Sequence, residues 1–298
     1  MIPIPRPPSP SRLVAPLVLG CALLSGCAAA PPLTGCTLAA RAAKLPGELR
    51  ETSGAAFSRR SPGLWWSIND SGNAAELFAL DSAGRRLGTV RVAGAENLDW
   101  EDMAAGPCAG GAGDCLYAAD VGDNGGERPH VTLYRVPEPA PGDTATAAAE
   151  RFRARYPEGP RDAEAFFVLP DGGAYVVTKG RRSPVEIYRV PLDTAGIAMM
   201  ERVRVLAPSP HDSEDRVTGA GATADGRWVA IRTYARLDLY RREELLGSGP
   251  PALTTPLGSL GETQGEAVAL AAGGRVLLTT EANEGRGPSV SRLSCPMP

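Results

Sequence analysis

Asp102, Glu164 and Glu266 each open a short run of small and apolar residues: Asp102-Met103-Ala104-Ala105, Glu164-Ala165-Phe166-Phe167 and Glu266-Ala267-Val268-Ala269. Gly54-Ala55-Ala56-Phe57 and Gly219-Ala220-Gly221-Ala222 have the same shape, with glycine in the first place. Other polar groups stand beside these runs or at the end of the segment that follows: Asp99, Trp100, Glu101, Asp162, Asn69, Asp70, Asp120, Asp123, Asn124, Lys179, Arg232 and Glu281. Carboxylates around one opening repel one another, so they stay partly protonated or acquire a positive partner. A hard cation such as Ca2+ suits them, because it takes about 6–8 oxygen ligands. Lys179, Arg232 and Arg161 offer the other solution, internal ion pairs. Both readings stand at this point.

Other chemistries fit less well. His130 and His211 are the chain's two histidines, too few for a three-His zinc centre. His130 follows Pro129 and His211 sits in Pro-His-Asp-Ser, so both read as loop residues. No G-x-S-x-G nucleophile elbow is present. Asp120 to Asn124 looks like part of a calcium loop, without the downstream Glu of an EF-hand. A net charge of −3 argues against a broad nucleic-acid surface. Trp65 and Trp66 are neighbours and point to opposite sides of a strand, so at least one belongs to a core. Trp100 suits either a stacking place at the mouth or the core.

The elements that position these groups form a repeat. Leu133-Tyr134-Arg135-Val136-Pro137 matches Ile187-Tyr188-Arg189-Val190-Pro191, and Leu239-Tyr240-Arg241-Arg242 is a weaker copy. Leu77-Phe78-Ala79-Leu80 and Val290-Ser291-Arg292-Leu293 are fainter copies, so the spacing is 51–56 residues. Ahead of each copy come, in fixed order, the small-residue run and an aliphatic run, with turn signals such as Pro170-Asp171-Gly172-Gly173 between them. A looser strand follows, as in Gly88 to Val92. Four short strands about every 50 residues predict an all-β fold, a β-propeller of five four-stranded blades, with six as the alternative. The 35 glycines and 28 prolines then belong to turns between strands. The first strand of each unit lines the channel, and the ends of the second strands gather at one mouth.

The last unit shows three strands before the chain ends, so residues 34–42 are expected to complete it. That sets Cys36 beside Cys295. Cys108 and Cys115 flank a glycine-rich hairpin loop, and the two pairs use every cysteine left after Cys21 and Cys27. Residues 1–27 read as a lipoprotein signal. Arg6 and Arg12 precede a 12-residue apolar core, Leu13 to Leu24, too short to span a bilayer. Leu24-Ser25-Gly26-Cys27 resembles the bacterial lipobox, which implies acylation of Cys27 and an export address on the outer side of the bacterial envelope. Residues 28–33 form a tether and 34–298 a single propeller domain.

The set Asn-Asp-Ser-Gly at 69–72, Asp-Trp-Glu-Asp at 99–102 and Gly-Asp-Asn-Gly at 122–125, with Tyr-Arg-Val-Pro strands, resembles exported bacterial β-propeller lipoproteins of uncharacterised function. More remotely it resembles the esterase-like phytase and calcium-dependent lactonase and phosphotriesterase propellers. That resemblance implies Ca2+ held in the channel by Asp102, Glu164 and Glu266, with Asn69 and Asn124 as further ligands. Gly54 and Gly219 depart from it, since they occupy two inner positions where ligands could stand. Two functions are expected: a lipid-anchored monomer that binds a small ligand or protein partner on its acidic face, or a Ca2+-dependent hydrolase of esters, phosphoesters or lactones.

Overall fold

Each repeat closes on itself as one antiparallel sheet, and five such sheets form the ring. The computed structural model describes residues 34–297 apart from 194 and 284, and residues 1 and 3. The lipobox, Cys27 and the tether lie outside the described residues.

The chain enters through β1 (Thr37–Lys44). Blade 1 follows as β2 (Thr52–Phe57), β3 (Trp65–Asn69), β4 (Glu76–Leu80) and β5 (Arg86–Arg91). Blade 2 holds β6 (Trp100–Pro107), β7 (Asp114–Asp120), β8 (Val131–Pro137) and β9 (Glu150–Arg155). Blade 3 holds β10 (Ala163–Val168), β11 (Ala174–Thr178) and β12 (Val185–Val190); after β13 (Ile197–Met199) it is completed by β14 (Glu201–Ala207). Blade 4 holds β15 (Val217–Ala222), β16 (Trp228–Thr233), β17 (Arg236–Arg241) and β18 (Leu253–Pro256). Blade 5 holds β19 (Gly265–Ala271), β20 (Arg275–Thr280) and β21 (Ser289–Ser294), and β1 pairs with β21 as its fourth strand. The count is five, not six. The closing strand runs slightly later than the expected 34–42. One pairing was not anticipated: β13 leaves blade 3 and joins β9 of blade 2 in parallel.

Strand position explains strand composition. Inner and second strands are mostly buried, and β10 and β11 are so along their whole length, because a blade lies against each of their faces. They are therefore mostly apolar, with Glu164 at the bulge of β10 as the charged exception. The outer strand β14, Glu-Arg-Val-Arg-Val-Leu-Ala, is partly exposed throughout and carries charge, which protects a free sheet edge. The core consists of five apolar layers, one between each pair of neighbouring blades. Trp66 belongs to the layer between blades 1 and 2, and Trp65 to that between blades 5 and 1. Burying one large apolar side chain in such a layer stabilises the fold by about 1.5–3 kcal/mol.

The ring is locked at the seam. Cys36 and Cys295 form a disulfide across 259 residues of sequence, and Cys108 and Cys115 form one across 7. At one end of blade 5, Ala271, Arg275, Ser294 and Thr37 stand in one row, each paired with the next. The chain's entry point and the C-terminal ends of the inner strands therefore share one face.

Candidate functional site

The inner strands β2, β6, β10, β15 and β19 pack side by side around the channel. Each pairs with its second strand through a register shift near its start. Such a bulge inserts an extra residue and re-aims its side chain. The residues so placed are Ser53, Glu101, Glu164, Thr218 and, in the wider irregularity of β19, Glu266 with Ala267. Asp102 is thus one position out of step with Glu164 and Glu266; the true counterpart of those two is Glu101. This corrects the alignment of the five small-residue runs.

Four of the bulge residues, Ser53, Glu101, Glu164 and Glu266, line a cavity of about 230 Å³ at one end of the channel. Asp70, Asn124, Lys179, Tyr234, Gln264 and Glu281 complete its wall. Five carboxylates thus face one amine. Lys179 pairs with Glu164. Glu281 accepts a hydrogen bond from Gln264 Nε2 at 2.7 Å. Glu101 is 5% exposed, and among the described residues no donor reaches its carboxylate. One oxygen from each of Asp70, Asp99 and Glu101 lies within 4.8 Å of the others. Gly122 makes room for them: a Cβ there would come within 2.3 Å of Glu101 Oε1 and 2.4 Å of Asp99 Oδ2.

Burial dominates the titration of these groups. It pushes Glu164, Glu266 and Glu281 up to about 8, with neighbouring carboxylates adding to the rise. Burial, and then Asp70, raises Asp99 to about 6. Glu101 is raised well above the usual range by burial and by Glu164, Asp70 and Asp99. Burial pulls the Lys179 ammonium down, but Glu164 and other anionic neighbours more than reverse that. Burial also pushes the Tyr234 phenol up.

The structure places most of the remaining sequence candidates outside this cavity. Asp102 is fully buried. Its Oδ1 accepts the N–H of Met103 at 2.8 Å, and its Oδ2 accepts those of Phe166 at 2.8 Å and Ala220 at 3.0 Å. Its oxygens are given to the backbone of three blades, and it crosses the channel below the acidic cavity. Asn69 turns away to donate to the Glu48 carbonyl at 2.7 Å, and its buried Oδ1 has no partner among the described residues. Asn124 lines the cavity and accepts from Arg181. Trp100 is in the core, stacked at a tilt on Tyr134 with centroids 5.9 Å apart, rather than at the mouth. Asp120 is buried against Arg128 at 2.7 Å. Asp123 accepts the N–H groups of Glu127 and Arg128, forming a turn. Asp162 Oδ1 accepts the N–H of Asp123 at 3.1 Å.

The expected positive partners also divide. Lys179 meets the cavity acids. Arg232 is fully buried, bound to the Ala267 and Thr279 carbonyls at 2.7 and 2.8 Å and to Glu262 at 2.5 Å. Arg161 pairs instead with Glu186, at 3.3 Å.

Gly54 and Gly219 prove to be contact points between strands. A Cβ on Gly54 would lie 2.6 Å from Met103 N, and one on Gly219 would lie 2.7 Å from the Glu266 carbonyl oxygen. The bulge residues before them act as staples: Ser53 Oγ donates to the Trp100 carbonyl at 2.8 Å, and Thr218 Oγ1 to that of Glu266 at 3.0 Å. Ser53, Tyr234 and Gln264 were missed as cavity residues. The sequence signal for Ser53 was its place directly before Gly54, parallel to Glu101 before Asp102.

No protein-family model matches the chain, and no curated protein sequence matches it. Solved structures do. The PQQ-bound aldose sugar dehydrogenase of Streptomyces coelicolor superposes with a TM-score of 0.54 at 13% identity, covering 90% of this chain and 100% of that one. A glucose dehydrogenase superposes with a TM-score of 0.48 at 13% identity, covering 87% of this chain and 100% of that one. At such identity the likeness is one of fold, and the class it defines is the β-propeller.

Proposed function

We propose that the protein is an exported, lipid-anchored binding propeller that takes its ligand through a hard divalent cation of the Ca2+ type. Asp70, Asp99 and Glu101 would hold the cation. The observation that carries this reading is Glu101, a buried carboxylate with no donor among the described residues, facing two more carboxylates within 4.8 Å. A doubly charged ion offsets that repulsion. Three carboxylates leave several of the 6–8 coordination places of Ca2+ open. Those places suit the oxygen atoms of a small polar ligand entering the mouth. The lipobox-like Leu24-Ser25-Gly26-Cys27 after a short apolar run supports reading the chain as attached to the outer side of the cell envelope.

The quinone cofactor named for the Streptomyces neighbour does not fit this cavity. PQQ is a tricarboxylate, and the wall presents five carboxylates against one lysine. No redox step is carried over to this chain.

The test is calorimetric titration of the propeller, residues 34–298, with Ca2+, alongside thermal melting. Wild type is expected to bind one ion and melt higher; Glu101→Gln is expected to lose both effects. No heat and no melting shift in wild type would sink the reading. Ester or phosphoester turnover that requires Ca2+ would move it to the hydrolase class.

A further inference from the structure

The opposite end of the channel holds a larger hollow that the acidic site does not use. It measures about 400 Å³, within the range of small-molecule pockets. Its floor is made by Ala55, Met103 and Ala269 from three inner strands, and Ala222 and Phe57 stand in its wall. The Asp102 bonds to β10 and β15 lie between it and the acidic cavity, so the channel is two chambers rather than one.

The rim carries Arg59, Asp114 and Arg275. Arg59 and Asp114 pair at 2.9 Å and cancel. Arg275 lies 5.7 Å from the centre of the Phe57 ring, and among the described residues no carboxylate pairs with it. An apolar floor below one uncancelled guanidinium complements a molecule with an apolar body and one anionic end. Guanidinium groups bind carboxylates in a two-pronged manner, and the Phe57 ring offers a flat apolar wall beside the charge.

We propose that this chamber is a second ligand site, selective for apolar monocarboxylates of the aryl or short acyl class. The body of the ligand lies against Ala55, Met103 and Ala269, and its carboxylate reaches Arg275.

The probe is 2-naphthoate, with 2-naphthylmethanol as its uncharged counterpart, titrated by fluorescence and calorimetry into the folded propeller. Wild type is expected to bind the acid at least tenfold more tightly than the alcohol. Arg275→Gln, a change at an exposed position, is expected to erase that difference. Ala222→Leu, which fills the chamber from a half-buried position, is expected to weaken both probes at least tenfold. Equal affinity of wild type for acid and alcohol would overturn the proposal. So would an undiminished preference for the acid in Arg275→Gln, and this arm holds even if Ala222→Leu fails to fold.

Discussion

The Oδ2 atom of Asp102 accepts the backbone N–H of Phe166 at 2.8 Å, joining blade 2 to blade 3 across 64 positions of sequence. The same atom accepts from Ala220 in blade 4. A carboxylate that sequence reading assigns to a metal instead fastens three inner strands together.

Replacing it should therefore cost stability without touching the cation. Asp102→Ala leaves three buried N–H groups without acceptors, at about 1–3 kcal/mol each, so the loss should reach about 3 kcal/mol or more. Asp102→Asn keeps one acceptor oxygen and should cost less. Urea unfolding gives the stabilities. The Ca2+ melting shift should survive in Asp102→Asn; its loss would return Asp102 to the ligand set.

Lys179 is the internal counter-ion of the acidic cavity. Lys179→Met removes the partner of Glu164 and leaves that buried carboxyl without an offsetting charge. Breaking a buried pair by removing one member costs about 3–5 kcal/mol, less any protonation of Glu164. The variant should melt lower than wild type without cation and show a larger Ca2+ shift. Calorimetry should find its Ca2+ affinity raised several-fold; unchanged affinity would mean that Lys179 does not compete with the ion.

The cavity also sets a pH dependence. Glu164, Glu266 and Glu281 titrate near 4.5 when unfolded and are pushed up to about 8 in the fold. Between those values the folded state binds more protons than the unfolded one. Their contribution is thus fully present below pH 4.5 and is lost as pH rises through 8. In EDTA, melting temperature should decline across that window. A cation held by Asp70, Asp99 and Glu101 is electrostatically favoured by ionised Glu164, Glu266 and Glu281 in the same cavity, so its stabilising shift should be larger at about pH 8.5 than at about pH 5.5. Equal shifts at both values would contradict the linkage.

The seam disulfide should matter more than the hairpin one. Cys36–Cys295 closes a loop of 259 residues and Cys108–Cys115 one of 7. Loop-closure entropy assigns about 5.6 kcal/mol to the first and about 2.4 kcal/mol to the second. Denaturation of the two double Cys→Ser variants measures the difference, and equal losses would refute the ranking.

The fold was largely legible because the repeat spells it. Tyr134, Tyr188 and Tyr240 mark equivalent third strands, and the cysteine pairs agree with ring closure. The site was legible only in part, because a bulge is invisible in a composition pattern. It adds a single residue, and a one-residue slip turns a side chain to the other side of its strand. That is why Asp102 was aligned with Glu164 while Glu101 held the matching place. Trp100, Asp120 and Arg232 were drawn to the mouth by their neighbours in sequence; their partners Tyr134, Arg128 and Glu262 come from elsewhere in the chain and hold them inside. The parallel pairing of β13 with β9 had no local signal, since three residues of strand carry no register of their own.

The row Ala271–Arg275–Ser294–Thr37 fixes a handle. Coupling the chain to a bead, an electrode or a fusion partner through its N-terminal side grips it on the face of the apolar chamber. The acidic mouth then points outward to the solution, so an immobilised layer would present its carboxylate cavity to the analyte in one orientation.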